Sequence, residues 1–113
     1  MGKSLNKPTE SRQARRIATG CRLAFLDEHN EEGEGEMLDL SCTGCMATTV
    51  HVVQPGLQMK ISLLLSDGHE TPVQVDEAIV RWARGGEFGV EFITVCPPQL
   101  QRIRQFILKT HPL

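Results

Sequence analysis

Apolar and polar residues alternate along most of the chain, which is the period of β-strands that present one face to a core. The first such segment lies within residues 17–26, where Leu23 and Phe25 alternate with Arg22 and Ala24. The same pattern, with β-branched residues and short side chains, predicts later strands at 37–41, 45–53, 59–65, 73–83 and 88–92. The chain is therefore predicted to be mostly β.

Glycine, proline and acidic residues separate these strands. The sequence "QPG" (54–56) is typical of a type II turn, and the Asp-Gly pair of "SDGHE" (66–70) predicts a hairpin. Tight turns are also expected at 42–44 and at "RGGE" (84–87). The segment "DEHNEEGEGE" (27–36) lacks apolar residues, so it is predicted to be an exposed loop or hairpin end.

The period changes after Pro97 and Pro98, which can open a helix. A helical apolar face over about residues 97–110 is formed by Leu100, Ile103, Phe106 and Ile107. About six short antiparallel strands and one terminal helix predict an all-β fold with a C-terminal helix, as a small barrel or a sandwich. A length of 113 residues suits one domain.

Charge is unevenly distributed although the formal net charge is only −2. The first segment is basic and residues 27–39 are acidic, with no lysine or arginine from Asp27 to Asp39. A chain of this kind is not expected to bind DNA or RNA tightly, because such binding needs many phosphate contacts. A small anion fits better, and a solvated basic tail is the alternative. No apolar run has the length of a membrane span or signal peptide, so we expect a cytoplasmic protein without membrane insertion.

The cysteines and histidines do not form a recognisable reactive site. Cys42 and Cys45 have the C-x-x-C spacing, but a zinc site needs two more ligands, and Cys21 and Cys96 lack the spacing to supply them. We therefore predict no metal and small, buried, reduced thiols. Since no histidine or acid falls in a nucleophile motif, no catalytic residue is predicted.

The motif "DLSCTG" carries more information. In a strand, Asp39 and Ser41 would project to the same face about 7 Å apart. Gly44 would allow a positive φ or a close approach of a ligand to the backbone. The alternative is that the Asp and Ser side chains and the glycine only build a turn.

Arginines earlier in the chain complement this motif. Arg12 and Arg16 are four residues apart and can lie on one side of a helical turn or an extended segment. Guanidinium groups bind phosphates and the O6 and N7 acceptors of guanine, whereas a carboxylate such as that of Asp39 can accept from guanine N1 and N2 hydrogens. The two motifs together indicate a guanine nucleotide site.

The sequence here resembles the PilZ domains, which bind the bacterial second messenger cyclic di-GMP. The resemblance rests on R-x-x-x-R at Arg12–Arg16 and on [D/N]-x-S-x-x-G at Asp39–Gly44, and it extends over most of residues 12–113. It implies a six-stranded antiparallel β-barrel with a C-terminal helix, preceded by a flexible basic segment of residues 1–11.

The resemblance also implies roles for individual residues. Arg12 and Arg16 would clamp the phosphates and guanine of cyclic di-GMP, and Asp39, Ser41 and Gly44 would hold the other side of the ligand from the barrel surface.

Four further residues are secondary candidates for ligand contacts: Ser11, Arg15, Trp82 and Arg84. Family members bind the ligand singly or as a stacked pair, and the residue before the first arginine, here Ser11, is implicated in the difference. For Trp82 the alternative is an aromatic side chain that packs on the core.

These expectations describe a non-enzymatic receptor without a cofactor, which orders its N-terminal segment on binding cyclic di-GMP and signals to a downstream effector protein. The alternative is an interaction module with the same fold that does not respond to nucleotide. The identity of the effector and the oligomeric state stay open.

Overall fold

The structure is a computed structural model that describes residues 15–110, and within that range the chain forms seven β-strands and one α-helix. The elements are β1 (Ile17–Ala18), β2 (Arg22–Asp27), β3 (Glu32–Leu40), β4 (Gly44–Thr49), β5 (Gln58–Leu64), β6 (Val73–Arg84), β7 (Glu87–Thr94) and α1 (Pro97–Thr110). The predicted boundaries of the helix, about 97–110, are confirmed.

Six of the strands close into an antiparallel barrel. The strand order is β3-β2-β5-β6-β7-β4, and β4 pairs in turn with β3, so the sheet has no open edge among these six. The very short β1 pairs with the end of β3, with Ile17 opposite Leu40 and Ala18 opposite Asp39. The predicted six-stranded antiparallel barrel with a C-terminal helix is confirmed, and the sandwich alternative is wrong.

The interior of the barrel is filled by the apolar side chains that the period-2 pattern predicts. Fully buried members from four strands include Leu23, Met37, Ile61 and Phe88. The helix closes this core with Ile103, Phe106 and Ile107, which are all buried against it. Burial of these side chains stabilises the fold by roughly 1.5–3 kcal/mol for each.

The acidic segment 27–36 is the end of the β2–β3 hairpin, which is one of its two predicted forms, and it is not an exposed loop throughout. Only its first half turns, and the second half is the beginning of β3. Gly33 lies beneath the ring of Phe25, and Gly35 lies against the carbonyl of Thr48, each in space that a side chain would fill. The intervening glutamates point outward, so glycines take the inward positions that apolar residues occupy in the other strands.

The turn at 54–56 follows its prediction, whereas the strand before it is shorter than predicted. Gly56 has a φ of 92° and the Leu57 N–H donates to the Gln54 carbonyl at 3.2 Å, as a type II turn requires. The predicted strand 45–53 is too long, because β4 ends at Thr49 and the following residues leave the barrel.

An ion pair fastens the helix to the β5–β6 turn. Arg102 donates from Nη2 to both carboxylate oxygens of Asp67, at 3.2 and 3.1 Å, and also to the carbonyl of Thr71 at 2.9 Å. Burial by itself would raise the pKa of Asp67. Hydrogen bonds from the backbone N–H of His69 and from Arg102 outweigh that effect and hold the pKa below its usual 3.8.

Candidate ligand-binding site

Asp39 reaches the outer surface because β3 contains a bulge. Met37 pairs with Ala47 and Asp39 pairs with Met46, which leaves Leu38 as an extra residue on β3. In a regular strand Asp39 would share the inward face of Met37. The bulge shifts the alternation so that Asp39 is partly exposed, and its Oδ1 is oriented by a hydrogen bond from the backbone N–H of Met46 at 3.2 Å.

Arg16 lies beside this carboxylate. Its Nη1 donates to Asp39 Oδ1 at 2.6 Å, although the two residues are 23 positions apart in the chain. The neighbouring residue Ile17 is buried and pairs with Leu40 of β3, which brings Arg16 to the same edge. The structure thus joins one arginine of the first predicted motif to the carboxylate of the second.

Ser41 does not share the exposed face of Asp39, contrary to the predicted strand geometry. The side chain of Ser41 is fully buried. Its Oγ accepts from the Thr43 N–H at 3.1 Å and lies 3.3 Å from the Gly44 carbonyl, to which it can donate. Ser41 therefore shapes the turn between β3 and β4 in this structure.

Gly44 has no positive φ, so that prediction is wrong, and the structure supplies a reason for glycine that was not predicted. No ligand is needed to explain its missing side chain. The carbonyl of Val90 in β7 occupies the space where a Cβ would lie. Gly44 therefore lets β4 and β7 approach closely beneath the Asp39 turn.

A second bulge lies across from Asp39, in β6. Val80 pairs with Val90 and Trp82 pairs with Gly89, so Arg81 is the extra residue. Arg81 and Trp82 are consecutive, yet both are exposed. The indole of Trp82 lies over Gly89, in space that a side chain there would fill.

Arg81 forms an ion pair with Glu91 of β7. Its Nε and Nη2 both approach Glu91 Oε1, at 2.8 and 2.7 Å. Sequence patterns did not identify either residue as a site candidate. The sequence shows only an arginine next to a tryptophan in the apolar run of β6. The face of the sheet on which the Arg81 side chain lies depends on the bulge.

The two bulges border one cleft of about 440 Å³. Its charged and aromatic lining consists of Arg16, Asp39, Arg81, Trp82 and Glu91. Thr43 and Met46 of the adjoining turn and strand also line it. The cleft offers arginine donors and carboxylate acceptors on both sides, which suits a ligand that carries both kinds of hydrogen-bonding edge.

The remaining predicted site residues lie elsewhere or outside the described range. Arg84 borders a different cleft of about 380 Å³, beside the exposed Val50 and Val52. Arg15 is half-buried next to Arg16. Ser11 and Arg12, like the rest of the predicted N-terminal segment, lie outside the described residues.

The cysteines are free thiols, and they divide by environment. Cys45 is buried, and burial first and the nearby Asp39 second raise its thiol pKa to about 12. Cys21 and Cys42 are half-buried against the core. Cys96 is exposed, so the prediction of buried thiols is wrong for that residue. Among residues 15–110, no cluster of three or more His, Cys, Asp or Glu side chains is arranged to hold a metal ion.

Comparison with protein families and solved structures identifies the domain type. A family model described as the PilZ domain matches residues 10–109, which confirms the predicted resemblance. No curated protein sequence matches the chain. Within residues 15–110, no helix combines the length and apolar character needed to cross a membrane.

Three solved structures resemble the fold. The inhibitor of motility MotI/DgrA from Bacillus subtilis has a TM-score of 0.69 and 16% identity, over 84% of this chain and 48% of that one. The chain thus spans about half the length of that protein. The PilZ domain of CeSA from a cellulose-synthesizing bacterium has a TM-score of 0.66 and 15% identity, over 85% and 97% of the two chains. The PilZ domain of Escherichia coli YcgR, solved with c-di-GMP, has a TM-score of 0.61 and 15% identity, over 84% and 87%.

Proposed function

Because the chain belongs to the PilZ domain family, we propose that it is a non-enzymatic receptor for cyclic di-GMP that passes the signal to a partner protein in the cytoplasm. The observation that carries the proposal is the contact between Arg16 and Asp39 at the border of an open cleft. The solved YcgR domain with c-di-GMP, which shares this fold, supports the same ligand.

The chemistry of the Arg16–Asp39 pair suits guanine. The guanidinium of Arg16 donates to the O6 and N7 atoms of the base or to a phosphate, and the carboxylate of Asp39 accepts from N1–H and N2–H. Both side chains keep solvent access, 51% for Arg16 and 23% for Asp39. A ligand can therefore replace their mutual contact without breaking into the core.

The other motif residues act around this pair in the proposal. Arg12 contributes a second guanidinium to the ligand from the chain before the barrel. Ser41 and Gly44 hold the turn that presents Asp39. They act on the ligand indirectly, because this turn sets the position of the Asp39 carboxylate. Trp82 borders the cleft and offers an aromatic face to a base.

Ligand contacts from Arg12 and Arg16 tie the N-terminal chain to the barrel surface and create the surface that the partner recognises. Limited trypsin digestion tests this step, because trypsin cleaves after Arg12, Arg15 and Arg16. Saturating cyclic di-GMP is expected to slow cleavage at these sites at least several-fold. Unchanged cleavage with saturated binding would contradict this coupling while leaving the receptor function intact.

Calorimetric titration tests the receptor function directly. Wild-type protein is expected to bind cyclic di-GMP and not GTP or cyclic di-AMP, and Arg16→Ala is expected to lose at least about tenfold in affinity, because a charge-assisted hydrogen bond is removed. Arg22→Ala is the matched control, since Arg22 forms an exposed ion pair with Glu34 outside the cleft. Absence of binding by wild type would refute the receptor, and turnover of nucleotide in the same sample would refute the non-enzymatic assignment.

A second candidate is an interaction module that does not respond to nucleotide. Val50 and Val52 favour it, because these two residues, which follow the end of β4, are 96% and 85% exposed. Adjacent exposed apolar residues are typical of interaction sites. The titration separates the two candidates, since only the receptor binds cyclic di-GMP.

A further inference from the structure

We propose that Arg81 and Glu91 form a second guanine-reading pair in the cleft, which recognises another guanine of the bound cyclic di-GMP. The inference rests on the proposed receptor function and extends it to residues outside the two sequence motifs. The pair would give the cleft a preference for a ligand with two guanine bases.

The bulge in β6 is the first observation. Since Arg81 is the residue without a partner across β7, its side chain and that of Trp82 both emerge on the outer surface. Bulges frequently turn a side chain toward a functional site. The bulge in β3 does the same for Asp39 on the other side of the cleft.

Hydrogen-bond capacity is the second observation. Arg81 donates from Nε to Oε1 of Glu91 at 2.8 Å, and its Nη2 lies 2.7 Å from the same oxygen. Within residues 15–110, Arg81 Nη1 and Glu91 Oε2 have no further partner. The side chains are 54% and 49% exposed, and both residues line the cleft.

The third observation is that the two ion pairs on the cleft have the same chemistry. Each combines an arginine, which can donate to guanine O6 and N7, with a carboxylate, which can accept from N1–H and N2–H. Cyclic di-GMP carries two guanines, and the Arg16–Asp39 pair accounts for one. Adenine presents a donor at N6, where guanine has the acceptor O6, and an acceptor at N1, where guanine has N1–H. Arg81 and Glu91 therefore cannot form the same hydrogen bonds with adenine.

The experiment compares cyclic di-GMP with cyclic GMP–AMP, in which one guanine is replaced by adenine. Affinities are measured by calorimetry for wild type, Arg81→Met and Glu91→Gln. Wild type is expected to prefer cyclic di-GMP by about tenfold or more, as a bidentate base contact provides. Both variants are expected to lose most of that preference, because cyclic di-GMP binding weakens more than cyclic GMP–AMP binding.

Arg22→Met and Glu34→Gln are the matched controls. They remove the same groups from an exposed ion pair of 3.3 Å that borders another cleft. Their preference is expected to equal that of wild type. Glu91→Gln preserves the shape of the side chain, so it serves as the test even if Arg81→Met perturbs β6.

The outcomes separate this inference from the receptor proposal. If wild type binds cyclic di-GMP and both variants keep its affinity and preference, the second pair is wrong and the receptor stands. If wild type does not bind, both proposals fail. A fall from two bound cyclic di-GMP molecules to one in the variants assigns the second guanine to a stacked second molecule, and loss of preference at constant stoichiometry assigns it to the same molecule. Both of these results support the pair.

Discussion

Two of the arginine–aspartate pairs within residues 15–110 differ in their surroundings. Arg16 and Asp39 share one short contact at the border of the cleft, where half of the arginine is open to solvent. Arg102 and Asp67 share a bidentate contact, and their side chains are only 14% and 7% exposed. The same two residue types therefore form an exchangeable contact in one region and an enclosed one in the other.

The difference comes from what else each pair touches. Arg102 also binds backbone carbonyls of the β5–β6 connection, and Asp67 accepts from the backbone N–H of His69. Removing one member of that pair leaves a poorly solvated charge without its ion-pair partner, which is costly. Water can solvate both members of the Arg16–Asp39 pair when they separate, so a ligand can take over their hydrogen bonds.

Removing Arg102 is expected to have the largest effect. Arg102→Met keeps most of the apolar stem and deletes the guanidinium, and it should lower the free energy of unfolding by about 3 kcal/mol. Urea denaturation followed by circular dichroism measures this. Arg104→Met on the exposed side of the same helix is the control, with an expected change within about 0.5 kcal/mol. Equal effects of the two substitutions would mean that the pair does not fasten the helix.

Gly44→Ala tests whether the close approach of β4 and β7 beside the cleft contributes to stability. A methyl group would meet the backbone carbonyl of Val90, so β4 and β7 must separate, at a cost of about 2 kcal/mol. Gly20→Ala is the matched control, because the nearest atom to its new methyl is the flexible end of Glu36 at 3.2 Å. Thermal denaturation of both variants provides the comparison, and a wild-type melting temperature for Gly44→Ala would show that this close approach is not required.

Lowering the pH is expected to destabilise the fold through the Arg102–Asp67 pair, by less than the substitutions above. The folded pKa of Asp67 lies below the usual 3.8, so folding is stabilised by its ionisation above that pH, and this contribution is lost as pH falls through the folded pKa. Between pH 6 and 3, wild type should therefore lose more stability than Asp67→Asn, which lacks the titrating group. Urea denaturation across this range measures the difference, and parallel curves for the two proteins would contradict the assignment.

Arg16→Gln is expected to have the smallest effect on stability, less than about 1 kcal/mol, because the pair is solvated. The same substitution should weaken cyclic di-GMP binding by at least about tenfold. Denaturation and calorimetry on one preparation give both values. A large loss of stability would show that Arg16, like Arg102, mainly stabilises the fold.

Much of the fold could be predicted from local patterns. The alternation within 59–65, the Asp-Gly turn after it and the apolar face of the helix each report a short-range preference, and each is confirmed. The acidic segment 27–36 forms a hairpin end, one of its two predicted forms, but the strand in its second half was not predicted because glycines supply the inward face of β3. Whether a glycine faces a core depends on a distant neighbour, here the ring of Phe25, which local sequence does not specify.

The candidate site shows the same division. The residue types and spacing of the two motifs were sufficient to predict a guanine nucleotide ligand and to nominate Arg16 and Asp39, whose proximity the structure then provides. Their partners across the cleft, Arg81 and Glu91, could not be nominated, because a strand pattern with period 2 places Arg81 and Trp82 on opposite faces.

Sequence alone predicted about six strands, the terminal helix and the chemistry of the two motifs, since these depend on periodicity and residue type. Only the tertiary structure decided which charged side chains meet. The bulges in β3 and β6 arise from pairing with neighbouring strands, and each shifts the alternation by one residue. That shift turns Asp39 outward and brings Arg81 to the same surface as Trp82.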